Sequence, residues 1–600
     1  MAGFLSGVST DGWGDFEIDA APAELNKYFG GYIEDNWRTT SKLTLNIGLR
    51  YDLQLPQTER HNMLTYFNPS VESPINGQVP AISSSAWTYT NSAGNTVPMT
   101  IPIPDVTDLH GADEFVGANG NGRWFYPHPY YGGWQPRIGL AYQLDSKTVL
   151  RVGGAKFFDW YQYGAWSYGV AGDGFTQETN WLTTYQGNGF TPWNSLSNPW
   201  SGPPAGPTFP AGSSLGAMTN IGLGVTGPLD SPGWGVNPSS WDWNFGLQRE
   251  LPGNVLLEAN YVGRKGTHLM FGGYVSPNYL PASFGQGTPA QVADRVAQLS
   301  TYVPNPLSAV ITNPSSSLSY STVPAVDLEL PFPQYTGMNF VEPPWSNSEY
   351  NGLEIRAEKR LSKGLEFVTS YVWSKSIDDS SVQGDNTAWL GGHTHLRDPN
   401  DRKLERGLSQ FDMPQSFQLS YIYNLPFGHG MHWGSHWNGV VNAFLGGWET
   451  TGIWTLMTGQ PIYLSWTSCG LPIPTWGCQQ PDIVGPLRKN HGVNWMQDYF
   501  SNDSQVLREP APYTLGTAPS VLPNASGPGT ANGDLAIYKN FALRKVREGM
   551  SLQLRLETLN GLNHPQFAAP NTAFESGIFG LISQQLNTPR QVQLGAKLMF

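Results

Sequence analysis

The sequence predicts an all-β fold, a transmembrane antiparallel up-and-down β-barrel with long external loops. Three observations predict it. Apolar and polar residues alternate with period two through thirteen segments, many of them about ten or more residues long. The connections between these segments alternate between short and long along the chain. Charged residues make up only 13% of the 600, while aromatics also reach 13%, against a usual charged share of about 25%.

The segments run over 28–38, 43–56, 134–145, 148–161, 241–252, 254–269, 346–362, 364–378, 412–427, 446–466, 538–548, 551–566 and 588–600. In the second, Leu43, Leu45, Ile47, Leu49, Tyr51 and Leu53 share one face, and Thr44, Asn46, Gly48, Arg50 and Asp52 the other. Trp241, Trp243, Phe245 and Leu247 line one face of the fifth. In the seventh, Glu354, Arg356, Glu358 and Arg360 form a charged row. Phe417, Leu419, Tyr421 and Tyr423 repeat the pattern, as do Val592, Leu594, Ala596, Leu598 and Phe600. A soluble strand averages about five or six residues, and a tilted strand needs about nine to eleven to cross a bilayer. Tyr28, Trp37, Trp134, Trp160, Tyr161, Trp241, Trp373 and Trp448 lie near segment ends, where interfacial girdles would place them.

The short connections are 38–42, 145–147, 251–254, 362–364 and 547–550, with a medium one at about 428–445. The long ones are roughly 57–133, 162–240, 270–345, 379–411, 467–537 and 568–587. Bacterial outer-membrane barrels have short periplasmic turns and longer extracellular loops. A soluble sandwich has no reason to sort its loops by parity. With the short turns periplasmic, Phe600 ends in the periplasm and residues 1–27 are an extracellular loop remnant. An odd strand count beginning outside the cell is expected of a chain lacking its N-terminal portion.

Composition excludes other classes. A net charge of −13 with no long basic run argues against a nucleic-acid partner. No apolar stretch is long enough for a transmembrane helix, and the first residues lack the basic and apolar regions of a signal peptide. The only cysteines, Cys469 and Cys478, fit one loop disulfide in an oxidising compartment; two free thiols are the alternative.

Several stretches resemble the C-terminal half of TonB-dependent receptors, closest to the Oar-like branch, whose members carry a carboxypeptidase-regulatory-like domain. They are YFGGYIEDNWRTTSKLTLNIGLRYD (28–52), WQPRIGLAYQLDSKTVLRVGGAKFFD (134–159), WDWNFGLQRELPGNVLLEANYVGRKGTHL (241–269) and YNGLEIRAEKRLSKGLEFVTSYVWSKSIDD (350–379). FDMPQSFQLSYIYNLPFG (411–428), LGGWETTGIWTLMTGQPI (445–462), LETLNGLNHPQFAAPNT (556–572) and the terminal strand follow. The resemblance implies about 13 of 22 barrel strands in residues 28–600, with the plug and N-terminal domain absent. It also implies an outer-membrane transporter of a Gram-negative bacterium that binds a ligand through its external loops. Its expected partners are outer-membrane lipid, the TonB complex reached through the missing N-terminal part, and the barrel-assembly machinery, which would read Phe600 as a sorting signal. A structural or adhesive barrel and a secreted all-β carbohydrate-binding protein are the alternatives.

No catalytic constellation stands out, and no cofactor is implied. His429, His432 and His436, and the pair His393 and His395, lack the further ligands of a zinc site. The oxygen-rich run DDSSVQGDN (378–386) departs from the Ca²⁺-loop pattern. YVGRKGTHL (261–269) lacks phosphate-loop spacing. In the long loops Trp166, Trp181, Trp193, Trp200, Trp234 and Trp389 are candidate ligand contacts, because aromatic faces bury much area at small entropic cost. Packing of the loops on one another uses the same residues. The row from Glu354 to Arg360 is expected to pair across strands in a wet lumen.

Overall fold

The computed structural model describes residues 7–8, 13–83, 87–91, 93–125, 129–159, 173–185, 190–195, 197–201, 206–230, 232–271, 274–280, 282–341, 343–380, 398, 401–466, 480–510, 515–543, 547–574 and 576–600. Its main element is a fourteen-stranded sheet, thirteen strands of which are joined side by side in chain order. They are β1 (Glu24–Arg38), β2 (Leu43–Glu59), β3 (Trp134–Asp145), β4 (Thr148–Phe158), β5 (Ser239–Leu251), β6 (Val255–Leu269) and β7 (Ser346–Ser362), followed by β8 (Leu365–Asp378), β9 (Gln415–Asn424), β10 (Trp448–Met457), β11 (Thr530–Ala542), β12 (Ser551–Leu559) and β13 (Gln591–Met599). The short pair Gly407–Leu408 adds to β8 off that path. Every neighbouring pair on the path is antiparallel.

Register carries one apolar face across the whole sheet. Leu49, Ile47 and Leu45 stand opposite Pro136, Ile138 and Leu140. Ile138 and Leu140 continue into Gly154 and Val152, and these into Trp243 and Phe245. Phe245 faces Tyr261, Tyr261 faces Leu353, and Leu353 faces Trp373. Farther on, Phe417 meets Leu456, and Leu556 meets Leu594. Many of these side chains are exposed, including Ile47, Ile138, Phe245, Trp373 and Leu594. Exposing such a face to water would forgo about 25 cal/mol for each Å²; lipid removes that cost. The alternate positions carry Asn46, Arg50 and Asp52 on β2, Asp242, Asn244 and Gln248 on β5, and Gln553, Arg555 and Glu557 on β12.

The expected segments are all present, with shifted ends. The eleventh begins at Thr530, eight residues before the expected 538, and ends at Ala542. Its first half, TANGDLA, reads as a turn from its Asn, Gly and Asp. In the sheet Gly533 is required, because a Cβ there would fall 2.8 Å from the Trp454 ring. The tenth and twelfth strands stop at Met457 and Leu559, short of the expected 466 and 566. Sequence pattern also missed α1 (Pro289–Leu299), although Thr288 and Gln291 form a capping box with Pro at the first helical turn, a legible helix start. Among the described residues, no helix is long and apolar enough to cross a membrane.

The connections keep the expected parity. On one side run 39–42, 146–147, 252–254, 363–364, 425–447 and 543–550; on the other run 60–133, 159–238, 270–345, 379–414, 458–529 and 560–590. Before β1, Trp13–Ile18 pairs with Gln177–Leu182 of the second long connection. β1 and β13 are the two ends of the sheet path, and both are largely exposed along their length.

Candidate ligand-binding surface

The long connections build two bodies with their own apolar cores. The first joins 60–133, 159–238 and 270–345 around Trp87, Phe67, Phe125, Val225, Leu307 and Phe340, all nearly inaccessible to solvent. Small sheets tie its loops together. Thr65–Glu72 pairs with His110–Phe115, and Gly224–Thr226 runs parallel to Gly337–Val341. α1 is anchored by Gln298, whose Oε1 accepts from the Thr100 and Ile101 amides at 2.7 and 3.1 Å. The second body joins 458–529 to 560–590 around Leu464, Phe500, Leu522 and Ile582. Loops of this length exceed the usual span of structureless connections, and these cores explain how they hold a shape.

The first body also buries acid groups. Asp113 accepts a hydrogen bond from Asn220 Nδ2 at 2.8 Å, and Asp173 accepts from Thr65 Oγ1 at 2.8 Å. Burial, and then the neighbouring charge of Asp173, push Asp113 well above the usual carboxylate range. Burial raises Asp173 as well, against the pull of its hydrogen bonds. Burial alone lifts Glu329 to about 7. Like charges side by side disfavour double ionisation, which acts on Asp113 in the same direction as burial.

The aromatic candidates divide. Trp234 is only 2% exposed and sits edge-on to Phe340 and Trp345 at 6.2 and 6.4 Å between ring centroids. Its ring is part of the core, not of a binding surface. Trp193, half-buried, lies against Tyr185 at 5.2 Å, and Trp200 meets Phe16 edge-on at 6.2 Å. Trp181 is on the strand Gln177–Leu182. Trp166, Trp389, Cys469, Cys478, His393 and His395 lie outside the described residues, as do Trp160, Tyr161 and 381–386. A cavity of about 570 Å³ opens on the apolar side of the sheet, where strand ends meet the second body, lined by Tyr261, Asn351, Trp373, Lys375, Asp412 and Asn524; Tyr261 and Trp373 belong to the apolar row. Sequence reading missed it, because its walls come from five separate stretches.

On the polar face, Asp52 accepts from Tyr28 Oη at 2.6 Å and Arg50 Nε at 2.9 Å. Tyr28 therefore belongs to this network and not to an aromatic girdle. Arg264 holds Asp242, which places the YVGRKGTHL run in strand β6. In the charged row of β7, Arg356 pairs with Glu358 of its own strand at 3.1 Å, in place of the expected cross-strand partner; Glu258, opposite Arg356, accepts from Gln248 at 2.6 Å. Among the described residues, no group of three or more His, Cys, Asp or Glu is placed to hold a metal. His429 Nδ1 lies 3.2 Å from the Ser435 carbonyl, and the ring of His432 meets Trp433 edge-on. Phe600 is highly exposed beyond β13.

Residues 1–593 match the family described as "Outer membrane beta barrel domain". No curated protein matches the sequence. Among solved structures, the chain is similar to the outer membrane transporter YddB from Escherichia coli, at 8% identity and a TM-score of 0.37, covering 96% of this chain and 54% of that one. It is similar to the ferripyoverdine receptor of Pseudomonas aeruginosa at 9% identity and TM-score 0.36, covering 96% and 39%. It is also similar to the ferric citrate transporter FecA at 9% and 0.34, covering 96% and 45%. The chain thus spans about half or less of each of these proteins.

Proposed function

Because the chain belongs to the outer-membrane β-barrel domain family, we propose that it is the C-terminal barrel part of a TonB-dependent transporter that captures a ligand at its external loops for energised uptake. The observation that carries this reading is the pair of independently cored loop bodies on one side of a sheet with a lipid-type face and a polar face. Such bodies hold a binding surface still, which lowers the ordering cost of capture. In this reading Phe600 is the assembly signal, the C-terminus is periplasmic, and Oar-type regulatory and plug segments belong to the complete receptor. The edges β1 and β13 support it: among the described residues neither has a second neighbour in the sheet, and unpaired backbone costs several kcal/mol per group in lipid, so this reading expects further strands beside them. Of the candidate tryptophans, Trp193 and Trp200 are only partly buried and are the ones proposed for contact.

A deletion strain and its complemented parent test the reading. Depletion of solutes from the medium is compared by mass spectrometry, with and without a proton-gradient uncoupler. Energised depletion of at least one solute by the complemented strain alone is expected. Unchanged depletion together with lost surface attachment would instead favour an adhesive barrel.

A further inference from the structure

The connection 425–447, between β9 and β10, contains no Asp, Glu, Lys or Arg; its ionisable groups are His429, His432 and His436. It holds one helix, α2 (Gly439–Leu445), capped by Asn438, whose Oδ1 accepts from the Val441 amide at 2.9 Å. The helix is turned inside out for a protein in water. Its polar Asn442 points inward, accepting from the His429 amide at 2.8 Å and packing against Gly428 and Gly446. Val440 and Phe444, one turn apart, are 69% and 72% exposed, and Leu445, Trp433 and Met431 are exposed beside them. Phe427 stacks on Trp433 at 5.3 Å, so the neighbouring loop extends the same patch.

The patch is continuous with the apolar face of the sheet. Trp448, at the start of β10, donates its indole N–H to the Phe444 carbonyl at 2.9 Å. Register puts Trp448 opposite Lys539, in line with Leu554 and Ala596, and the Lys539 ammonium lies over the Trp448 ring at 5.6 Å. The helix therefore hangs from the apolar side of the sheet and not from its polar side.

We infer that residues 425–447 form an in-plane membrane anchor, with the outward side of α2 and Trp433 seated in the interfacial layer of the bilayer leaflet on the short-turn side. The chemistry fits that layer: an apolar side to meet acyl chains, Trp and His rings for the headgroup zone, and no fixed charge to desolvate. This inference rests on the membrane-barrel reading of the sheet.

The test places a spin label at Val440→Cys or Phe444→Cys, one per chain, in the full chain carrying Cys469→Ser and Cys478→Ser, reconstituted in vesicles of phosphatidylethanolamine and phosphatidylglycerol. Ile138→Cys on the apolar face and Ala93→Cys in a long loop serve as references. Collision with oxygen is expected to exceed collision with a water-soluble nickel chelate at 440 and 444, as at 138 and opposite to 93. Nickel access at 440 and 444 equal to that at 93, with 138 still in lipid, would overturn the anchor and leave the barrel standing. Dipolar broadening between labels would also overturn it, by showing a second copy on the patch. Nickel access at 138 as well would remove the barrel reading itself.

Discussion

Asp113 and Asp173, 60 residues apart in the chain and on two different connections, meet inside the first loop body. Their pKa values are raised on folding, so their contribution to stability is present in acid and is lost as pH rises through the raised values. Glu329, lifted to about 7, acts in the same direction. Loop-body stability, read by hydrogen exchange, is therefore expected to fall between mildly acidic and mildly alkaline pH, and Asp113→Asn should flatten that dependence. A body equally protected at both ends of the range would contradict the assignment. Gln298→Leu is expected to orphan the buried amide of Ile101, at roughly 1–3 kcal/mol, and to free the half-buried amide of Thr100, visible as faster exchange of those two protons. Nothing in the sequence ties position 113 to 173 or 298 to 100, because such contacts depend on loop paths that have no period. Trp234 shows the same limit: its residue type suits a binding surface and a core equally, and only the packing decides.

Strands were far more legible than the residues that bind loops together. A period of two survives wherever one face meets lipid and the other does not, as from Leu43 to Leu53. It fades where aromatic rings cover glycines, since the glycine then reads as a break. Gly533 beneath Trp454 is one case, and Gly263, where a Cβ would fall on the Trp243 indole, is another. Gly263→Ala should displace that ring and destabilise the sheet by about 1–3 kcal/mol, measured as a lower urea midpoint in heat-modifiability gels. No change in midpoint would mean that the Trp243 ring moves aside freely. α1 was legible from its capping box but stood alone in a β-rich pattern. α2 has seven residues, too few for a helical period to show.

At the scale of the molecule, connection length carried most of the information. Its parity puts every long connection on one side and every short turn on the other, because strands in sequential antiparallel order must return to the same side at each second turn. What length could not convey is that the long loops form two bodies with separate cores. Site-specific labelling in intact cells reads which side of the outer membrane each set of connections occupies. In the chain with Cys469→Ser and Cys478→Ser, single cysteines are placed at Ala93, in the first long connection, and at Ser146, in the β3–β4 turn, and treated with a membrane-impermeant maleimide. Labelling is expected at 93 and not at 146 until the outer membrane is opened. Labelling of both in intact cells, or of 146 alone, would contradict a sheet that sorts its connections across the outer membrane.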